Sequence, residues 1–240
     1  MSQLDLASEA EISPRHLSFV ETGRSNASRE MILHLSEQLD IPMRERNVLL
    51  VAAGYAPLFP ERSLDDPALS AARAAIDLVL EGHKPYPAFA IDRHWKLVAS
   101  NSALQEMYEG VDEELLKRPI SGMRLSLHPK GLAPRIENLA EWRAHLLARL
   151  QQQIELTADP ALVELMAELK TYPAPSVPHG HDASAMVVPF RLHIRQGLLS
   201  FFSTTMVFGT PVDITLSEIA VESFFPADAA TAALVKKLSA

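Results

Sequence analysis

The chain contains no cysteine. That excludes a disulfide framework, a cysteine-ligated zinc and a thiol nucleophile, and it permits a reducing compartment. No apolar run approaches the ~18 residues needed to span a bilayer, and no charged segment leads into an apolar stretch at the start, so neither a membrane span nor a signal peptide is visible. A phosphate-binding P-loop, a G-x-S-x-G elbow and a dinucleotide fingerprint are all missing, which leaves catalysis without a motif. Positive charge is also in short supply. The net charge is −8 over 240 residues, a poor start for a nucleic-acid partner.

What is present is an ordinary globular composition, 48% apolar and 22% charged, enough for one large domain or two modest ones. Composition shifts near residue 55. Before it, helix-start signals follow in quick succession. Ser2 precedes Gln3-Leu4-Asp5, a capping-box pattern; Ser13-Pro14 is an N-cap with proline at the first helical position; Ser28 caps a third segment, and Pro42 opens a fourth. Gly54–Pro60 then stops the helical pattern and reads as a hinge.

The segment Ser2–Gly23 has the layout of a helix-turn-helix. Leu6, Ala7 and Ala10 share one face of its first helix, Ile12 fills the turn, and Leu17 and Val20 share one face of the second. The small Ala7 lets the helices cross closely. The second helix then presents Arg15, His16 and Ser18 near its N-terminal end, where such helices meet base edges. Ser13, Gln3, Arg24 and Asn26 complete the expected DNA-contacting set, with Gln3, Arg24 and Asn26 against phosphate. A plain helical hairpin is the competing reading. Local charge favours the reader: residues 13–29 carry a net charge of +2 on an acidic body.

The rest of the chain alternates differently. Asp66-Pro67 starts a helix that stops at Gly82. Ala88–Ile91 and Lys96–Val98 read as short strands around an Asp92–Trp95 turn. Two apolar stripes follow, Leu139-Trp142-Leu146-Leu147-Leu150 and Leu162-Leu165-Met166-Leu169, the second capped by Asp159-Pro160. Three strand-like runs, Met186–Ile194, Leu198–Phe208 and Ile214–Phe224, precede a final helix from about Ala227. Six of the nine phenylalanines fall between Phe190 and Phe225. This order resembles the PAS type of α+β domain, a five-stranded antiparallel sheet with helices over one face.

The string Ser2-Gln3-Leu4-Asp5-Leu6-Ala7, then Ile12-Ser13, then Glu21-Thr22-Gly23-Arg24 resembles the XRE (Cro/repressor-like) helix-turn-helix family. Asn47–Pro57, Leu125–Gly131, Asn138–Arg143 and Gly209–Asp228 are similar to the MmyB-like regulators, XRE-family transcription factors with a PAS-like ligand-binding domain. The resemblance covers nearly the whole chain. It implies an all-α helix-turn-helix domain over residues 1–56 and an α+β PAS-like antiparallel-sheet domain over residues 64–240. It also implies a first helix with basic residues ahead of Ser2, where only Met1 stands, and a start lying further upstream is the favoured expectation over a true truncation.

The function so implied is a cytoplasmic, non-enzymatic, homodimeric transcription regulator that binds operator DNA and senses a fatty-acid-like effector, with no cofactor and no membrane partner. A stand-alone ligand-binding or interaction module with a defunct DNA reader is the alternative. A sheet with helices over it can leave an apolar cavity, and a lipid-like ligand needs a few polar anchors beside it. His128, Arg135, Asn138 and Arg143 are the candidate anchors and Trp142 a candidate wall. Asn138 and Arg143 have competing roles as a helix cap and a solvated face. His179, His181 and Asp182 are a weak metal candidate on a Pro- and Gly-flanked loop, and no metal is expected. Replacing Arg15 by alanine should relax base preference by ~1–3 kcal/mol if it reads a base edge; selection of bound sequences from a random pool measures this, and an unchanged preference removes Arg15 from the reading set.

Overall fold

The computed structural model describes residues 2–173, 175 and 188–239, so His179, His181 and Asp182 lie outside the described residues. The backbone gathers into two compact units, Met1–Arg62 with Pro211–Ser217, and Ser63–Thr210 with Glu218–Ala240.

The first unit is helical: α1 (Gln3–Glu9), α2 (Pro14–Glu21), α3 (Arg29–Gln38) and α4 (Met43–Ala52). The first three each begin on a serine whose hydroxyl accepts the amide three residues on, Ser2 from Asp5, Ser13 from His16 and Ser28 from Met31. The Asp5 carboxylate returns a bond from the Ser2 amide and completes the capping box. Ala7, Ala10, Leu17, Ile32 and Leu50 make the small core. Beyond α4, Asn47 accepts the Leu58 and Phe59 amides at 2.8 and 3.0 Å and donates to the Phe59 carbonyl at 2.7 Å. Pro211–Ser217 joins this unit through backbone and charge. The Ile214 amide donates to the Pro60 carbonyl at 2.9 Å, and the fully buried Asp213 carboxylate pairs with Arg62 at 2.9 Å.

The second unit holds α5 (Ser70–Gly82), β1 (Ala88–Ile91), β2 (Leu97–Ser100), α6 (Glu113–Leu116), α7 (Gly122–Leu127), α8 (Leu139–Thr157), α9 (Pro160–Thr171), β3 (Phe190–Ile194), β4 (Gly197–Val207), β5 (Ala220–Pro226) and a closing helix, Ala229–Leu238. The strands form one antiparallel sheet in the order β2-β1-β5-β4-β3. Side chains alternate between its faces. Ala88, Ala90 and Val221 point to one, where Ile76 and Leu80 of α5 cover them. Phe224 points to the other, into a larger core with Met123, Trp142, Leu146, Leu150 and Phe201. Apolar cover therefore lies on both faces rather than one.

Three strand expectations need correction. The run expected as a strand from Ile214 starts with a helical turn, Ile214–Ser217, and the strand begins only at Ala220. The turn is fixed by Asp213, whose carboxylate accepts the Thr215 amide at 2.9 Å; isoleucine and threonine carry strand propensity that this local cap overrides. Of the strand expected over Met186–Ile194, Met186 and Val187 lie outside the described residues and the described strand begins at Phe190; the strand expected at Lys96–Val98 runs Leu97–Ser100.

Asn101, 2% exposed, staples the edge of this sheet. Its carbonyl accepts the Ala88 amide at 3.2 Å, and its amide group donates to the Leu80 and Tyr86 carbonyls at 3.0 and 2.8 Å. One side chain thus ties the end of α5 to the start of β1. Asn101→Ala strands these backbone groups away from water and should cost ~1–3 kcal/mol, read as a lower denaturation midpoint; an unchanged midpoint would show that water replaces the side chain there.

Candidate functional site

In the first unit the proline at the start of α2 and the Ser13 cap fix where that helix begins, and so which side chains its first turn presents. Ser13, Arg15 and His16 are all exposed and Ser18 half-buried. The Arg15 guanidinium lies 5.3 Å from the Phe19 ring centroid, one turn on, which holds the cation at the surface without a carboxylate partner among the described residues. Arg24 and Asn26 follow on the exposed loop after α2. Gln3 is exposed but occupied, since its amide donates to the Glu21 carboxylate. Arg29 was not among the expected contacts. It opens α3, and its Nε is buried without a hydrogen-bond partner among the described residues, a donor left over in a basic stretch.

In the second unit a pocket opens between the sheet and α8, with a free volume of about 70 Å³. Phe89 and Phe224 form its floor; Leu104, Met107, Met123, Leu125, Leu146 and Phe190 enclose it, with Trp95 and Trp142 in the wall. Its polar groups are few: Ser126, Arg149 and Glu222. Ser126 accepts the Trp142 indole N–H at 2.9 Å. Arg149 donates to the Glu222 carboxylate at 2.6 Å and sits 4.9 Å over the Trp95 ring, and Thr205 also donates to Glu222, at 2.9 Å.

A clamp holds α8 in place over the sheet. The Trp95 indole donates to Gln153 at 2.8 Å, and the Gln153 amide donates to the Arg93 carbonyl at 2.7 Å. Asp159, which caps α9, meets Arg93 at 3.0 Å and His94 at 2.9 Å. Burial acts to raise the Asp159 pKa, but the bonds from His94 and the Ala161 amide, with the Arg93 charge, outweigh it and hold the carboxyl below its ordinary value.

Of the five expected ligand contacts, the pocket gathers Trp142 alone; the other four lie elsewhere, occupied in holding backbone. His128 accepts the Lys130 amide at 3.0 Å and meets Tyr172 edge-on at 4.9 Å. Arg135 donates to the Met107 carbonyl at 2.5 Å, and burial lowers its pKa. Asn138 donates to the Pro189 carbonyl at 2.8 Å. Arg143 donates to the Leu169 and Lys170 carbonyls at the end of α9, at 3.1 and 3.3 Å. The residues that sequence reasoning passed over are Arg149 and Glu222. A signal existed for Arg149: it follows Trp142 and Leu146 at helical spacing, a charge set into an apolar stripe. Glu222 sits between two strand residues of the opposite face and had no comparable signal.

Among the described residues no group of three or more His, Asp or Glu side chains is placed to hold a metal, and no helix is long and apolar enough to cross a membrane.

A helix-turn-helix reader in one unit and a walled apolar pocket in the other define a DNA-binding transcription regulator that carries its own ligand-binding domain. Residues 72–238 match the MmyB-like transcription regulator ligand binding domain, and the chain belongs to that family. Residues 1–46 match a helix-turn-helix model of the XRE type. Both matched domains are of the transcription-regulator type rather than of enzyme families. Comparison with curated proteins gives no match.

His145 stacks on the pocket residue Trp142 at 5.5 Å. Its pKa is lowered from 6.5 by burial and then by the Arg149 charge, against the pull of Glu222. A lowered histidine pKa means that the unfolded chain takes up the proton first. The stability His145 contributes is therefore fully present above 6.5 and is lost as the pH falls below that value. Denaturation midpoints followed down through this range should drop more steeply in the native chain than in His145→Phe; parallel curves would show that the ring titrates as it does in water.

Proposed function

We propose that the protein is a homodimeric regulator whose operator affinity is set by a small apolar or amphipathic effector, fatty-acid-like in its hydrocarbon part, seated in the pocket under α8. The observation that carries this reading is the pocket itself: an almost wholly apolar lining with one charged pair, inside a domain of a ligand-binding family. Its free volume of about 70 Å³ is well below the ~300–1,000 Å³ usual for small-molecule sites. A short alkyl segment enters it, and a longer one does so by moving side chains. Met107 and Met123 are the lining residues best able to move, because an unbranched thioether has several accessible rotamers.

On the DNA side, Arg15, His16 and Ser18 read base edges from the first turns of α2, while Ser13, Arg24, Asn26 and Arg29 engage phosphate. Gln3 joins them once DNA competes for its bond to Glu21. Coupling follows from chain connectivity. β5 carries the pocket residues Glu222 and Phe224, and it is joined to β4 through Pro211–Ser217, which clusters with the helical unit. An effector that moves the start of β5 thereby acts on residues of the DNA-reading unit, and ligand and operator affinities become linked.

Both tryptophans of the chain line the pocket, so intrinsic fluorescence reports on it directly. Titration with short-chain alkyl compounds should shift tryptophan emission, raise the melting temperature, and change the retardation of promoter DNA in a gel. Leu146→Phe, which fills the pocket at a strain cost of ~1–3 kcal/mol, should abolish the ligand-induced rise in melting temperature. No change in emission with any alkyl compound would overturn the reading.

A further inference from the structure

The pocket is apolar except at the end where Arg149 and Glu222 meet, and this end fixes what kind of head group an effector can carry. Glu222 is 3% exposed. Both of its hydrogen bonds, from Arg149 and from Thr205, fall on Oε1. Oε2 takes neither bond and is not among the buried oxygens left without a partner, so it is open to water, and a donor on a ligand would replace solvent there. Arg149 spends one terminal nitrogen on Glu222 and Thr205, and its guanidinium carbon lies 4.9 Å from the Trp95 ring centroid; among the described residues its remaining N–H groups are left available as donors. Its side chain is 27% exposed, against 4% for Glu222, so the polar end is also the end nearest water.

A head group placed here meets a donor and an acceptor within one ion pair. The positive charge is already neutralised at 2.6 Å. An anionic head that approached Arg149 would come beside the Glu222 carboxylate, and a cationic head that approached Glu222 would come beside the guanidinium. Either would lose water and gain a like charge. A hydroxyl avoids both penalties: its O–H donates to Glu222 Oε2 while its oxygen accepts from an Arg149 N–H. Ser126, whose hydroxyl oxygen takes the Trp142 N–H, keeps its own proton as a second donor in the same lining.

We infer that the effector is an uncharged amphipath whose head both donates and accepts a hydrogen bond, a primary alcohol being the simplest, and that Glu222 is the residue that turns away carboxylates of the same chain length. The inference rests on the pocket being the effector site.

The two can fail separately in one experiment. Hexanol, hexanoate, hexylamine and hexane are titrated against the full chain at neutral pH, with tryptophan emission as the readout, since hydrocarbon length is held constant. Hexanol should bind about tenfold or more tighter than hexanoate and hexylamine, and tighter than hexane. In Glu222→Gln the acceptor oxygen remains but the charge does not, so the order of hexanol and hexanoate should reverse, with Arg149 now unpaired. Should that variant fold poorly, the native chain's ranking alone decides. Hexanoate binding as well as hexanol overturns the head-group assignment while leaving the pocket as effector site; so does hexane binding as well as hexanol. If none of the four alters emission, the pocket reading and this inference fall together.

Discussion

The sheet and α8 would have no cavity between them without the clamp at the β1–β2 turn. Gln153 takes the Trp95 indole proton and gives a bond back to the Arg93 carbonyl. Just past the end of α8, Asp159 takes both the Arg93 and His94 side chains. These contacts fix the C-terminal end of α8 against the hairpin, and Trp95 is thereby stood upright as a wall of the pocket. The wall in turn offers its ring to Arg149, which turns the guanidinium toward Glu222. A helix that was free to settle onto the sheet would fill the space with its own leucines, as close packing ordinarily requires.

Much of the fold was legible because it was locally encoded. Ser2, Ser13 and Ser28 announce three helices by chemistry that acts within three residues, and Asp159-Pro160 does the same for α9. The strand at Ala88–Ile91 and the final meander follow from alternation, and the XRE-type and MmyB-like resemblances are matched by family models. The region after Gly209 misled because its β-branched residues point to a strand while Asp213, buried by its pairing with Arg62, caps a helical turn. That pairing joins residues far apart in the chain, beyond the reach of any local pattern.

The candidate ligand contacts illustrate the same limit. His128, Arg135, Asn138 and Arg143 are close in sequence and polar, as anchors for a ligand would be. Each is tied to backbone instead: His128 to the Lys130 amide just past α7, Arg135 to the Met107 carbonyl, Asn138 to the Pro189 carbonyl, and Arg143 to carbonyls at the end of α9. The pair that lines the pocket, Arg149 and Glu222, stands on a helix and a strand 73 positions apart. Proximity in sequence marked the scaffold here, whereas the pocket's polar end was assembled by tertiary structure alone. The acidic balance follows the same logic: a net −8 is a sum over the chain, and it says little about the small basic stretch around α2.

The seating of Pro211–Ser217 bears on how such a chain can be taken apart or recombined. Its helical unit is not a contiguous cassette. A fragment ending at Arg62 would leave behind the carboxylate that neutralises that arginine and the amide that satisfies the Pro60 carbonyl. The remainder would carry Asp213 with no counter-charge. Exchange of DNA-reading heads between regulators of this build therefore has to move two pieces of sequence at once, and a graft made at the hinge alone would join a reader to a hairpin shaped for a different one.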